Sequence, residues 1–258
     1  MQQNQRRHCR PIAVAAIARN RVAEVTAQRT DPPRQLPLDL GHGTGYSRDE
    51  LVVSGTNNQA AALVDRWPDW PAPVVVLAGP AGSGKTHLAS IWRARANALA
   101  LDVGRMGDSI ANLGARPALI DDIDNGVVDE QGLFHLINAV RGAGSTLLLT
   151  ARRFPSAWGV KLPDLASRLK AAATVEIHEP DDLLLAGVIT KLFADRQVEV
   201  EPHVVQYLVR RIERSLATAM RVVERLDRTA LERKMPITRA LAAEVVSAMD
   251  EGQGEFEI

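Results

Sequence analysis

Hydrophobic and polar positions follow two regimes along this chain, with the change near residue 178. Before it, short continuous apolar runs alternate with segments of helical period. The runs at 74–78, 98–101, 118–120, 145–150 and 173–177 have the length and character of buried strands. Between them, 58–67 and 85–97 read as helices, as does 131–140, with Leu133, Phe134, Leu136, Ile137 and Val140 on one side. A shorter helix is expected at 162–169, with Pro163 in its first turn. Thr56 is the expected N-cap of the first helix, and Pro68, Pro71 and Pro73 separate that helix from the first strand. Beyond His178-Glu179-Pro180 the strand pattern stops. Helices are expected at 181–196, 202–212, 215–234 and 238–249, with Asp181, Ser215 and Thr238 as N-caps. The pattern predicts an α/β domain with a parallel sheet flanked by helices, followed by a small all-α domain.

One stretch fixes the chemistry of the first domain. Gly79-Pro80-Ala81-Gly82-Ser83-Gly84-Lys85-Thr86 follows the 74–78 run and opens the 85–97 helix with His87 and Leu88. Strand, glycine-rich turn and helix N-terminus together make a phosphate loop. Its N–H groups turn inward, and the helix behind adds partial positive charge. Lys85 would reach the β- and γ-phosphates of a nucleotide, and the Thr86 hydroxyl would sit on Mg²⁺. The expected ligand is ADP or ATP.

Some thirty residues on, 118–120 ends in Asp121-Asp122-Ile123-Asp124, the form of a Walker B strand. Asp121 is the candidate Mg²⁺ holder and Asp122 the candidate for orienting or deprotonating an attacking water. Asp124 is expected at the surface. Trp67 and Trp70 could pack in the core or lie over the base, with packing favoured. After the 145–150 strand, Arg152-Arg153-Phe154-Pro155 forms a loop at the sheet edge where ligands sit.

Composition narrows the classes. Lys+Arg and Asp+Glu each number 31, so no global basic field points to DNA. Cys9 is the only cysteine, which excludes an intramolecular disulfide and a cysteine-built zinc site. No apolar run has the length to span a bilayer, and a cytoplasmic protein is expected. Residues 1–34 are arginine-rich and acid-poor; they read as a poorly ordered tail or an over-extended translation start. In Gln35-Leu36-Pro37-Leu38-Asp39-Leu40, Pro37 forbids a helix and the leucines alternate on an extended chain. Such leucines dock either on their own domain or on a partner.

Phosphate loop, Asp-Asp strand, polar-tipped strand and helical lid together resemble the AAA+ ATPases. Within them, Lys85-Thr86-His87-Leu88 and Ile120-Asp121-Asp122-Ile123 are similar to the replication initiator DnaA and its relatives. Leu162-Pro163-Asp164-Leu165-Ala166-Ser167-Arg168-Leu169 matches the arginine-finger segment of the Hda branch, and Gln35, Leu36, Leu38, Asp39 and Leu40 match its sliding-clamp hexapeptide. The resemblance covers roughly 35–250. It implies a clamp peptide and linker at 35–44, a nucleotide-binding AAA+ domain at 45–178, a lid at 179–250 and a tail at 251–258. It also implies a negative regulator of replication initiation: docked on the clamp, Arg168 would act in trans on ATP held by DnaA. Self-association as a homodimer stays open. An adaptor that recruits DnaA-like partners without stimulating hydrolysis, and an independent ATPase, are the alternatives. Two departures point to weak hydrolysis at the chain's own site. Arg152 stands at the sensor position where the initiator has an acid. The lid arginine's position falls at Ala217, with Arg214 and Arg221 about one turn away. The chain ends after the lid without a helix-turn-helix segment, so sequence-specific DNA binding is not expected.

Overall fold

A computed structural model describes residues 48–102, 110 and 113–253, which fall within one compact unit. The expectations for 1–34 and for the 35–40 hexapeptide lie outside the described residues, as does Cys9. Five strands build one parallel sheet: β1 (Val74–Ala78), β2 (Leu99–Ala100), β3 (Ala118–Ile120), β4 (Leu147–Ala151) and β5 (Ala173–Glu176). Their order is β2-β3-β4-β1-β5. Every residue of β1, β3 and β4 is buried, as central strands covered on both faces require. The ladder pairs Val75 with Leu148 on one side and with Ala173 on the other.

Helices α1 (Asn58–Asp65) and α2 (Lys85–Ala96) pack on one face of the sheet. Trp92 is fully buried there, with Trp70 stacked on it at 5.1 Å and Trp67 edge-on at 6.4 Å. Trp67 and Trp70 are therefore packing residues, and each indole N–H is satisfied within that layer, by Thr146 Oγ1 and the Leu63 carbonyl. On the other face lie α3 (Glu130–Gly142) and α4 (Pro163–Lys170), whose Leu133, Leu136 and Leu165 enter the second core. Four further helices follow: α5 (Asp182–Asp195), α6 (Pro202–Arg211), α7 (Leu216–Arg233) and α8 (Arg239–Gln253). They enclose their own core around Leu185, Leu208, Val223 and Leu241.

Capping chemistry sets several of these boundaries. Asp181 and Ser215 accept from the N–H groups of Leu184 and Thr218, at 2.7 and 3.2 Å. The expected cap at Thr56 is corrected. The residue preceding α1 is Asn57, while the Thr56 hydroxyl is engaged with Ser54 Oγ at 2.8 Å. Strand β2 is an edge strand shorter than 98–101, where alanine, a weak strand former, alternates with leucine, although Leu101 N–H still donates to Leu119 O.

Candidate functional site

Residues 79–84 turn between β1 and α2 at the C-terminal edge of the sheet, and Lys85 and Thr86 open the helix. Gly82 and Gly84 adopt φ of 72° and 96°, the left-handed region that suits glycine. At Gly79 a Cβ would lie 2.1 Å from the Ile177 carbonyl oxygen, so this loop can follow its path only without a side chain. Lys85 is buried, and its ammonium donates to the carbonyls of Gly79 and Pro80 at 2.8 and 2.7 Å. Burial holds its pKa below the ordinary value, against the opposing pull of Asp122. Ser83 Oγ is buried without a hydrogen-bond partner among the described residues.

Behind the loop stands a network from three elements. The Thr86 hydroxyl donates to Asp121, 3.0 Å from Oδ2. The Thr150 hydroxyl, from β4, donates to Asp121 Oδ1 at 2.6 Å and accepts the Asp122 N–H at 2.7 Å. Thr150 thus orients the end of β3, a role the sequence reading did not assign. Asp122 has φ of 52°, and its carboxylate takes a fork from Arg152: Nε to Oδ1 at 3.3 Å and Nη2 to Oδ2 at 3.0 Å. Hydrogen bonding to Asp122 raises the Arg152 guanidinium further above its ordinary range.

Asp124 is not at the surface. Its side chain is 1% exposed and accepts the backbone N–H groups of Arg152 and Arg153 at 2.8 and 3.0 Å, with Arg153 Nε at 3.3 Å. A carboxylate can be buried where several donors replace its water, and these also fasten the loop after β4 to the end of β3.

Between the phosphate loop and the helical bundle lies a cavity of about 360 Å³. The loop lines it with residues 82–86, His87 and Leu88, while Val52 and Asn57 line it from the segment before α1. The bundle contributes Leu184, Val188, Leu216, Ala217 and Met220, with Lys191 and Asp195 as its charged groups. The bundle is tied to the loop directly: Leu216 N–H donates to the Gly82 carbonyl at 2.8 Å. Arg214 instead bonds Asp182 and the Pro180 carbonyl, and Arg221 bonds Thr218 Oγ1, so neither lines the cavity.

This arrangement fits a nucleoside phosphate. The turned loop, an ammonium at its centre and an orphaned serine hydroxyl supply donors, and the cavity beside them is largely apolar. Among the described residues no cluster of His, Cys, Asp or Glu could hold a metal by itself. A Thr86–Asp121 pair suits Mg²⁺, which takes its other ligands from phosphate and water.

Arg168 lies elsewhere, on α4. Its guanidinium sits 5.0 Å over the ring of Phe134, and among the described residues it has no carboxylate partner. Glu130 supports the same helix from below. It accepts the N–H groups of Lys161 and Leu162, the latter at 2.7 Å, at an N-terminus that has no side-chain cap of its own. Those two backbone donors, Lys161 first, hold the Glu130 carboxyl below its ordinary value. The sequence placed Phe134 on the apolar side of its helix without a role under Arg168, and did not single out Glu130, because each acts on a segment more than twenty residues away.

Comparisons with known proteins fit this geometry. A family described as Hda, lid domain, matches residues 188–245. The initiator DnaA of Thermomicrobium roseum is 27% identical over 238 residues, covering 80% of this chain and 50% of its own length. Domain III of Thermotoga maritima DnaA superposes with a TM-score of 0.67 at 17% identity, covering 79% of this chain and 96% of that one. By these matches the chain is similar to DnaA-related AAA+ proteins, and its helical lid is similar to that of Hda. AMPPCP-bound DnaA from Aquifex aeolicus shares the fold, with a TM-score of 0.62 and 18% identity over 72% of this chain and 66% of its own. An uncharacterized Haemophilus influenzae protein is 25% identical over 80% of this chain and 95% of its own length. By contrast, the chain spans about half the length of the curated DnaA relatives it matches. Among the described residues no helix is long and apolar enough to cross a membrane.

Proposed function

We propose that this protein is a regulator of replication initiation that binds ADP or ATP with Mg²⁺ and promotes hydrolysis of ATP held by DnaA. The observation that carries the reading is the placement of Arg168. It is an arginine with no acid partner among the described residues, mounted on an aromatic ring and absent from the lining of the chain's own phosphate-loop cavity. An arginine presented to a neighbouring γ-phosphate neutralises charge developing in the transition state and contributes about 10³–10⁵ in kcat. Nucleotide would lie against residues 79–87, with Lys85 on its phosphates and Thr86 and Asp121 serving Mg²⁺. Gln35, Leu36, Leu38, Asp39 and Leu40 would dock on the DNA polymerase sliding clamp and bring the protein to DnaA at the nucleoid. A second reading, an independent ATPase working through Lys85, Asp121 and Asp122, draws on the Thr86–Asp121–Thr150 network.

The test is phosphate release from ATP-loaded DnaA with clamp on DNA, using wild-type protein and Arg168→Ala. The expected result is acceleration by wild type that disappears in the variant. No acceleration by wild type would sink the regulator reading and leave the adaptor and the independent ATPase. Loss of acceleration on Leu38→Ala or Leu40→Ala, with Arg168 intact, tests the clamp tether.

A further inference from the structure

The loop after β4 does something unusual to the second acid of β3. On the nucleotide-binding reading, Asp122 would be the carboxylate that receives a proton from an attacking water, yet both of its oxygens accept from one guanidinium, that of Arg152. The two ends of this pair are held independently. Asp122 N–H is fixed on the Thr150 hydroxyl, and Arg152 N–H is fixed on the buried Asp124. The fork joins side chains that are 52% and 32% exposed, carried on backbones that are each anchored, and its two parallel donors fix the plane of the carboxylate. Among the described residues no arginine lines the cavity from the lid to compensate: Leu216, Ala217 and Met220 present hydrocarbon, and Arg214 and Arg221 are engaged elsewhere.

We propose that Arg152 is an internal restraint on Asp122 that slows turnover of nucleoside triphosphate at the protein's own site. This rests on the nucleotide-binding reading above. In the reaction slowed, a water oxygen bonds to the γ-phosphorus and the bond from phosphorus to the bridging oxygen breaks. The leaving diphosphate keeps the electron pair, and the water proton passes to Asp122. A carboxylate whose plane is set by a guanidinium fork and whose charge is matched by it is poorly placed to take that proton. The same device lets an arginine finger act on a partner's nucleotide while the chain's own nucleotide persists.

Two readouts test this with the protein alone, without DnaA or clamp. In the nucleotide-free protein, the Arg152 Nε–H resonance is expected to be resolved and slowed in solvent exchange, and Asp122→Asn should abolish that protection. With Mg-ATP, Arg152→Ala should hydrolyse about two- to fivefold faster than wild type, the factor set by the strength of a part-exposed ion pair, with nucleotide affinity unchanged. Arg152→Ala combined with Asp122→Asn should return to the wild-type rate, and Arg152→Lys, which keeps the charge and loses the fork, should gain less than Arg152→Ala. An Arg152→Ala protein that binds Mg-ATP as wild type does and hydrolyses it no faster would overturn the proposal. So would an Arg152 resonance indifferent to Asp122→Asn. Weaker nucleotide binding by Arg152→Ala would also overturn it, by making Arg152 a phosphate contact. If wild type itself binds no nucleotide, the site reading fails and this proposal fails with it, a different outcome from a silent variant that binds.

Discussion

Gly82→Ala tests whether the lid is held by the phosphate loop. Gly82 has φ of 72°, and a Cβ there would lie 2.1 Å from Ser215 Oγ, 2.9 Å from its Cβ and 3.2 Å from its Cα. Ser215 caps α7, and the next residue's N–H is the donor to the Gly82 carbonyl at 2.8 Å. An alanine would meet strain from the left-handed backbone, about 1–2 kcal/mol. Moving Ser215 aside would weaken its cap, at about 1 kcal/mol. The expected loss is about 2–3 kcal/mol, a fall in Tm of roughly 4–12 °C for a domain of this size. Thermal and urea denaturation read it, and fluorescent-nucleotide titration should show weaker binding because the cavity wall moves. Ser215→Gly separates the causes. In that background the cap is already gone, so Gly82→Ala should cost only the backbone strain. The same cost in both backgrounds would refute the lid clash, and a Gly82→Ala protein as stable as wild type would refute the whole account.

Three further substitutions follow from the contacts around Arg168 and Asp124. Phe134→Leu removes the ring under Arg168; a cation–π contact at a part-exposed site contributes about 0.5–1 kcal/mol, so DnaA-dependent phosphate release should fall about two- to fivefold, with Phe134→Tyr near wild type. Glu130 is held below the ordinary value of 4.5 by its two backbone donors. The unfolded chain therefore binds its proton first as pH falls, so Glu130 contributes stability above that value and loses it as pH drops through the lower folded value. A pH series of urea midpoints should show this acid loss in wild type and a flatter slope in Glu130→Gln. Asp124→Ala leaves two backbone N–H groups without their acceptor, at about 1–3 kcal/mol each, and chemical denaturation should show a loss larger than for Phe134→Leu.

What the sequence disclosed was whatever is local along the chain. Val74–Ala78 reads as a buried strand because every residue is apolar, and the phosphate loop because its glycines, lysine and threonine are consecutive. The lid helices and the caps at Asp181 and Ser215 were equally readable from short-range periodicity and side-chain type. What was not legible depends on partners brought together by the sheet. Asp124 looked like a solvated acid, since nothing in Asp-Asp-Ile-Asp announces that the loop after β4, 28 residues on, will deliver two N–H donors to it. Ser215 was legible as a cap but not as the residue facing Gly82, a contact between the phosphate loop and a lid helix far along the chain. Arg152 stood out only as a departure from the related initiators, and its partner could be found only in three dimensions.

The fold also ties the two arginines together. Strand β3 ends in the acids of the chain's own site, and the next regular element is α3, which starts at Glu130. That helix meets α4 twice. Its first turn supplies the Glu130 carboxylate to the N–H groups of Lys161 and Leu162, and one turn later Phe134 lies under the Arg168 guanidinium. Both ends of α4 are thereby fixed to a helix that leaves the end of β3. Asp124, in the connection, is bonded to the loop carrying Arg152. Two arginines with opposite assignments thus share one support: Arg152 is drawn in onto Asp122, and Arg168 has no carboxylate partner among the described residues. Substitutions at Asp124 should therefore disturb both behaviours, whereas those at Phe134 should disturb only the one directed at a partner.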